Sequence, residues 1–501
     1  MHERVDALLS TTTQQHAGRL ALAHGEDELD YAALSERVDR LAGELRGVVA
    51  AGDRVAVVAP NVPALGVALF AAWRVGAVAV PLNARLREYE LRRVLPDARP
   101  TAIVTIGAHA AYRFADVIAS LLPELPTVRG CFVIDATGEI AERRDNVAAG
   151  ERPAELAPEI AAVLYTSGST GAPKGALVTH ACAVAGARSL AGVLELSPED
   201  TAALVVPASH AFGLGCLLAA VASGSAAALV ESSFSFDPLL QAMEAQGTTV
   251  VHGSPALFGR LLVAAPGSLE PVRTGLVAGA PCPPAVLEQL DATDTTILNV
   301  FGMTEIGAAT SCRHDDPAER RHTTVGRALE GYEFRVAGED EPGELQVRGP
   351  YVMPGYLGQP EQTAQAFDGD WFRTGDLGTI DDQGYIRIAG RAKEVVHVGG
   401  FNVFPAEVEG FLLGHPGVAQ AVVVGIPHER MGEALAAFVV PRPGHELEPG
   451  ELLRFARPRI AGYKLPYTIR VVDELPFLPS GKPDRVALAA EAAAESGAVA
   501  R

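Results

Sequence analysis

Apolar residues recur along this chain in two alternating rhythms, one of short unbroken runs and one with a helical period. Near the N-terminus Leu34, Val38, Leu41 and Leu45 share one helical face. Gly52-Asp-Arg then opens the run Val55–Ala59, which predicts a strand, and a helix over Val62–Val75 leads to a strand over Ala77–Val80. Unbroken runs of that length suit strands covered on both faces, and their alternation with helices predicts parallel sheets flanked by helices. Ile160–Leu164 and Gly175–Val178 read as two further buried strands, with Thr179 placed to cap a helix starting near His180. From Glu344 to Tyr385 the rhythm shortens to brief strands broken by Gly/Pro turns. After Ala389 a separate unit begins, with an amphipathic helix over Pro405–Leu413 and a strand over Ala419–Val424. The Ala-rich end, Val486–Val499, reads as a frayed helix or a disordered tail.

The fold class this predicts is α/β: a large N-terminal domain of flanked β-sheets plus a β-rich subdomain (residues 1–389), and a small α+β C-terminal domain (residues 395–501). The charged stretch Gly390–Glu394 is the expected linker. A length of 501 residues exceeds what one core usually supports. Val62–Leu82 and Ala202–Val230 are long enough to resemble membrane spans. Arg74 interrupts the first, and Ser209, His210 and several glycines interrupt the second, so both are expected to be buried α/β elements without integral membrane association. The net charge of −20 is spread without a basic run, which argues against nucleic acid as a partner and against a polybasic lipid anchor. Met1–Arg19 lacks the apolar core of a secretory signal. Cys131, Cys182, Cys216, Cys282 and Cys312 show no metal-type spacing, so reduced, mostly buried thiols in a cytoplasmic protein are expected.

Candidate chemistry concentrates in Tyr165-Thr-Ser-Gly-Ser-Thr-Gly-Ala-Pro-Lys-Gly175. Glycines let the main chain approach a ligand, successive free N–H groups make an anion-binding concavity, and Ser167, Ser169, Thr170 and Lys174 add donors and a mobile charge. The ligand this suits is a polyphosphate. A Walker A loop is excluded, because Pro173 precedes Lys174 and Gly175 stands where the magnesium-binding hydroxyl is needed.

The same segment resembles the phosphate-loop motif of adenylate-forming enzymes, which include acyl-CoA synthetases, peptide-synthetase adenylation domains and luciferases. Further segments follow in that family's order. Gly279-Ala280-Pro281 resembles its adenine-pocket segment, and Phe301-Gly302-Met303-Thr304-Glu305 its aromatic-Gly-x-Thr-Glu motif. Arg373-Thr-Gly-Asp376 resembles the ribose motif, Gly390-Arg391-Ala-Lys393-Glu394 the hinge motif, and Pro479-Ser-Gly-Lys482-Pro-Asp-Arg485 the motif of the catalytic lysine. With Leu29–Leu34 near the start, the resemblance covers essentially the whole chain.

It implies that a small-molecule carboxylic acid attacks the α-phosphate of ATP, releasing pyrophosphate, and that the acyl-adenylate then meets the thiol of coenzyme A. The alternative acceptor is a carrier protein loaded by a stand-alone ligase. Thr166, Ser167, Gly168, Ser169, Thr170, Gly171 and Lys174 would hold the phosphates, and Glu305, with Thr166 nearby, would hold Mg²⁺. Thr304 would contact the α-phosphate, Asp376 would accept from the ribose hydroxyls with Arg391 in support, and Gly279, Ala280, Pro281, Phe301, Gly302 and Met303 would line the nucleotide. Lys482 would bridge the carboxylate and the α-phosphate. A mobile C-terminal domain turning about Lys393 would then bring the loop with Gly399, Gly400 and Phe401 to the CoA thiol. Phe301 stands where the family usually has tyrosine, and His397 where many relatives carry lysine. His210, His252, Ser254, Gly302 and Gly307 match the acyl side. Segments 251–254, 278–280 and 302–307 hold no Arg or Lys, so an uncharged monocarboxylate is expected, aliphatic of medium length or aryl. His252 can receive a hydroxyl or carbonyl and biases the site towards a substituted aryl acid.

Overall fold

The protein is described by a computed structural model at residues 3–110, 112–150, 152–166, 173–231, 236–338, 342–398, 401–428, 431–478 and 482–499. Two large sheets form its bulk. One has seven strands, in the order Ile140–Asp145, Gly130–Ile134, Ala102–Ile106, Arg54–Val58, Val78–Leu82, Ile160–Thr166 and Lys174–Thr179. Its inner neighbours pair parallel and its outermost pairs antiparallel. The other has nine strands, from Arg327–Ala328 through Gly307–Ser311, Thr296–Met303, Thr274–Val277, Val250–Gly253, Thr201–Leu204, Ala226–Leu229 and Leu20–His24 to Asp27–Asp30.

A layer of helices lies in the core that both sheets share, where Val57 and Ile103 of one sheet and Leu22 and Leu276 of the other join Leu69 and Leu217 from helices. The helix Pro63–Arg74 is buried at every residue from Pro63 to Trp73. Such a helix has no polar face because no face meets water. That placement explains the apolar stretch that resembles a membrane span. No described helix is long and apolar enough to cross a membrane. The Trp73 indole donates to the Ala161 carbonyl at 2.8 Å, so its one donor is satisfied inside the core.

Local signals hold elsewhere too. Leu34, Val38, Leu41 and Leu45 are all buried on the helix Tyr31–Leu45, whose cap Asp30 accepts from the Ala33 N–H at 2.7 Å. Thr179 caps His180–Val193, accepting from Cys182 N–H at 3.1 Å. The five cysteines are free thiols, all but Cys282 buried.

A third, antiparallel sheet contains Glu333–Ala337, Gly343–Arg348, Trp371–Ile380, Phe367–Asp368 and Ile386–Arg391. A fourth contains Phe401–Val403, Val396–Val398, Gly432–Pro441, Val418–His428 and Thr468–Val471. The chain changes from the third to the fourth across the single turn Ala392–Glu394. Two expectations need correction here. The strand expected over Ala419–Val424 extends to His428, because it forms a long hairpin with Gly432–Pro441. The C-terminal segment is a helix, Arg485–Val499, docked through Leu488 and Ala492 onto Val422 and Phe438, so it is neither frayed nor disordered through Ala492. Its apolar stripe, one turn apart, was hidden among alanines.

One buried amide joins the two large sheets. Asn61, 5% exposed, places Nδ2 at 3.2 Å from the Leu204 and Val206 carbonyl oxygens and 3.3 Å from that of Val230, while Oδ1 accepts from Ala208 N–H at 3.2 Å. The Leu204 carbonyl also accepts from Val230 N–H at 3.1 Å, so Asn61→Ala takes the amide partner from the Val206 and Val230 carbonyls and from Ala208 N–H, a loss of about 1–3 kcal/mol, and is expected to lower the melting temperature by several degrees in differential scanning fluorimetry. An unchanged melting temperature would show that the strand ends hold their places without it.

Candidate active site

The parallel strands of the nine-stranded sheet end at one rim, the position where open α/β sheets bind ligands. There Thr296–Met303 and Gly307–Ser311 are joined by the turn Thr304-Glu305-Ile306. The two backbones come so close that a Cβ at Gly302 would lie 2.1 Å from the Gly307 carbonyl oxygen, so hairpin packing alone requires glycine at Gly302. Gly307 has φ +62°, and the turn delivers Glu305 inward, 7% exposed. The Tyr356 hydroxyl donates to Glu305 Oε1 at 2.8 Å, and the Met353 N–H to the Glu305 carbonyl at 2.8 Å. Burial first, and the Glu305 charge second, push the Tyr356 phenol well above its ordinary range, which keeps it a donor. The same ring lies under Lys174, whose Nζ is 5.7 Å from its centroid. Lys174 opens its strand directly opposite Thr166. Ser167, Gly168, Ser169, Thr170 and Gly171 lie outside the described residues.

The third sheet supplies a second carboxylate. The strand Gly343–Arg348 slips register against Trp371–Ile380 between Glu344 and Gln346, and Gly375, at φ +69°, absorbs the resulting bulge. Asp376 next to it stands directly across from Arg391 in the neighbouring strand, with Arg391 Nε 2.8 Å from Asp376 Oδ1. The other oxygen, Oδ2, is buried and has no partner among the described residues. Burial raises the carboxyl to about 6, against the opposing pull of Arg391 and Lys482. A buried, half-satisfied carboxylate is an acceptor for a ligand's donors, and a pair of ribose hydroxyls fits it.

Lys482 lies in a surface loop fastened by its carbonyl, which accepts from Leu478 N–H at 2.8 Å. Its ammonium is nonetheless held below the usual lysine range, by desolvation and then by Arg391, while Asp376, Glu394 and Glu305 pull the other way. Lys482 in turn adds to the burial that lowers His210, which sits at the head of helix Ala211–Ser223 with Nε2 3.2 Å from Asn83 Nδ2. The fold therefore brings Lys482, Asp376, Arg391, Glu305 and His210 into one electrostatic field, although they lie far apart in sequence.

The remaining candidates divide. Gly279-Ala280-Pro281 is an exposed loop after Thr274–Val277, and Gly279, at φ +87°, has open space where a side chain would stand. Phe301 and Met303 are half-buried, Phe301 with its ring 6.5 Å from that of Phe334. His252 is fully buried, packs edge-on against Phe212 at 6.4 Å, and has both ring nitrogens unpaired among the described residues. Burial drives its pKa down to about 4, so it is neutral at physiological pH. Ser254 caps the helix Pro255–Ala264, accepting from Leu257 N–H at 3.3 Å. Lys393 lies in the turn Ala392–Glu394, and Phe401 pairs with Val398. His397 donates its N–H to Glu433 Oε2 at 2.7 Å. Gly399 and Gly400 lie outside the described residues. Sequence reasoning missed Tyr356 and Asn83. Each reaches the site by long-range pairing, and no local pattern marks it.

The family of AMP-binding enzymes matches residues 9–357, and its C-terminal domain matches residues 407–482. A ligase of Rhodococcus jostii (strain RHA1), named for a methyl-dioxo-octahydro-indenyl-propanoyl CoA thioester, is 35% identical over 492 residues, covering 92% of this chain and 93% of that protein. A feruloyl-CoA synthase of Amycolatopsis sp is 35% identical over 479 residues, covering 92% and 94%. The ATP-bound structure of MatB from Rhodopseudomonas palustris superposes with a TM-score of 0.83 at 28% identity, covering 98% and 99%. With that coverage, this chain belongs to the AMP-binding, adenylate-forming enzymes. Within them it is an AMP-forming acid–CoA ligase, which activates a carboxylic acid with ATP and passes the acyl group to coenzyme A.

The Asp376 carboxyl yields a test with two opposite signs. A carboxyl raised from 3.8 to about 6 stabilises the fold only while protonated, so its contribution is present below pH 3.8 and lost as pH rises through 6. Asp376→Asn should therefore raise the melting temperature at pH 7.5, by a contribution on the order of 3 kcal/mol that fades near pH 4. It should at the same time weaken ATP binding at least about tenfold by calorimetry.

Proposed function

We propose that Lys482 is the cation that meets the substrate carboxylate and the α-phosphate during adenylation. The observation that carries this reading is that Lys482 lies within the electrostatic reach of Arg391, Asp376, Glu394 and Glu305. Attack on the α-phosphate brings two anions together, and a positioned ammonium offsets that charge where it develops. Lys174 and the loop before it hold the leaving pyrophosphate, Thr304 faces the α-phosphate, and Asp376 holds the ribose. Among the described residues no three or more His, Cys, Asp or Glu side chains converge on one point, so Glu305 would hold Mg²⁺ together with phosphate oxygens. Bound Mg²⁺ supplies charge neutralisation to the polyphosphate.

The boundary between the two catalytic bodies is assigned to Gly390–Glu394, where the chain changes sheet. Turning about Lys393 withdraws Lys482 and brings Gly399, Gly400 and Phe401 to the thiol. If adenylation and thiolation divide in this way, Lys482→Ala lowers pyrophosphate exchange about 10²–10³-fold. Thioester formation from supplied acyl-AMP stays within a few-fold of wild type. Equal loss in both steps would refute the division.

The acid is an uncharged monocarboxylate, aliphatic of medium length or aryl, bound beside His210, His252, Gly302 and Gly307. No lysine or arginine stands in the segments assigned to the acyl group, and a second carboxylate left unpaired there costs several kcal/mol. The neutral, unpaired imidazole of His252 favours an acyl group carrying a hydroxyl or carbonyl, and the Rhodococcus and Amycolatopsis relatives are named for a dioxo acyl group and a feruloyl group. Across butyrate, octanoate, benzoate, 4-hydroxybenzoate, malonate and an amino acid, kcat/KM is expected to be highest for a monocarboxylate. Malonate or the amino acid should trail by about 100-fold or more. Either of these leading the series would overturn the assignment.

A further inference from the structure

Tyr356 lies outside every motif discussed above, yet it touches both charged ends of the phosphate site. Its hydroxyl donates to Glu305 Oε1 at 2.8 Å, and its ring faces Lys174 Nζ at 5.7 Å. Its backbone is bound into the same place. Residues 355–357 add to the edge of the strand Lys174–Thr179, with Leu177 N–H donating to the Gly355 carbonyl at 3.0 Å and Leu357 N–H to the Gly175 carbonyl at 2.8 Å. Gln359 Nε2 reaches the Pro173 carbonyl at 3.1 Å, at the last described residue before Lys174. Thr363 Oγ1 accepts the Tyr356 N–H at 3.0 Å and donates to the Gln359 carbonyl at 2.8 Å, which closes the segment on itself. Met353 N–H meanwhile holds the Glu305 carbonyl at 2.8 Å.

We infer that Tyr356 is a positioning residue that locks Glu305 to the strand bearing Lys174, so that divalent cation and polyphosphate are engaged as one unit. The inference rests on the reading of Glu305 and Lys174 given above. A carboxylate on a hairpin turn is free to rotate about its side-chain torsions, and an ammonium on a four-carbon stem more so. Occupying Oε1 with a phenol fixes the carboxylate and leaves Oε2, which accepts no hydrogen bond among the described residues, to face a cation. The ring beneath Lys174 limits where its ammonium can go without neutralising it. A residue that merely filled space would need neither contact.

The hydroxyl and the ring can be removed separately. The probe is Mn²⁺, titrated by electron paramagnetic resonance into full-length protein holding α,β-methylene-ATP, with calorimetry of the analogue alone as the metal-free control. Tyr356→Phe keeps the ring and is expected to weaken Mn²⁺ about tenfold, the usual effect of losing a partner of a metal ligand, with metal-free binding of the analogue unchanged. Tyr356→Leu also removes the ring and should in addition weaken metal-free binding several-fold. Glu305→Gln separates the two readings. If it leaves the Mn²⁺ titration unaltered, the role given to Glu305 fails; if it weakens Mn²⁺ while Tyr356→Phe does not, this inference fails alone. Should the tyrosine variants not fold, Thr363→Val, which removes the acceptor of the Tyr356 N–H together with the bond to the Gln359 carbonyl and so loosens the segment holding the tyrosine, carries the same test, and a wild-type Mn²⁺ titration in it overturns the proposal.

Discussion

A carboxylate taken out of water must have its oxygens met, and in this protein Asp376 is met by half. It receives the Arg391 guanidinium on one oxygen, and its second oxygen is buried without a hydrogen bond among the described residues; Glu305 nearby receives a phenol on one oxygen. An unpaired polar group in the interior costs of order 1–3 kcal/mol, more when charged. The raised pKa of Asp376 records that cost directly. On the reading proposed above, that oxygen is the one the ribose of a nucleotide meets, so the energy withheld from folding becomes available to binding.

Holding groups in such a state requires a frame that does not relax around them. The shared core of the two large sheets provides it. Pro63–Trp73 is enclosed on all sides, Trp73 is anchored to Ala161, and Asn61 just before that helix spans to the ends of two neighbouring strands of the opposite sheet. Close-packed interiors resist local rearrangement, which keeps the rim of the nine-stranded sheet fixed beside Arg391 of the third sheet and the loop that bears Lys482.

Much of this was legible in the residues. The Val55–Ala59 run, the Leu34–Leu45 stripe and the Thr179 cap each act over a few residues, and each appears close to where periodicity placed it. Asp376, Lys482 and Glu305 were identifiable by motif, and their convergence is a tertiary fact. Tyr356 left no trace because its role depends on strand pairing with residues far away in sequence. The docking of the C-terminal helix is illegible for a related reason: Leu488 and Ala492 have meaning only against Val422 and Phe438. Sequence periodicity reports which face is buried, and it says little about a helix whose stripe is built from alanine.

The pairing of Asp376 with Arg391 depends on strand register, since the two face each other across a hairpin closed by the turn after Ile380 and shifted by a bulge between Leu377 and Gly378. Side chains alternate between faces with period two, so gaining or losing one residue between that pair and the turn, the bulge included, would send Arg391 to the opposite face and strand Asp376 without its counter-ion. Loops elsewhere on the surface accept length changes at small entropic cost. This hairpin does not, and among descendants of this chain it should vary in letters while staying constant in length.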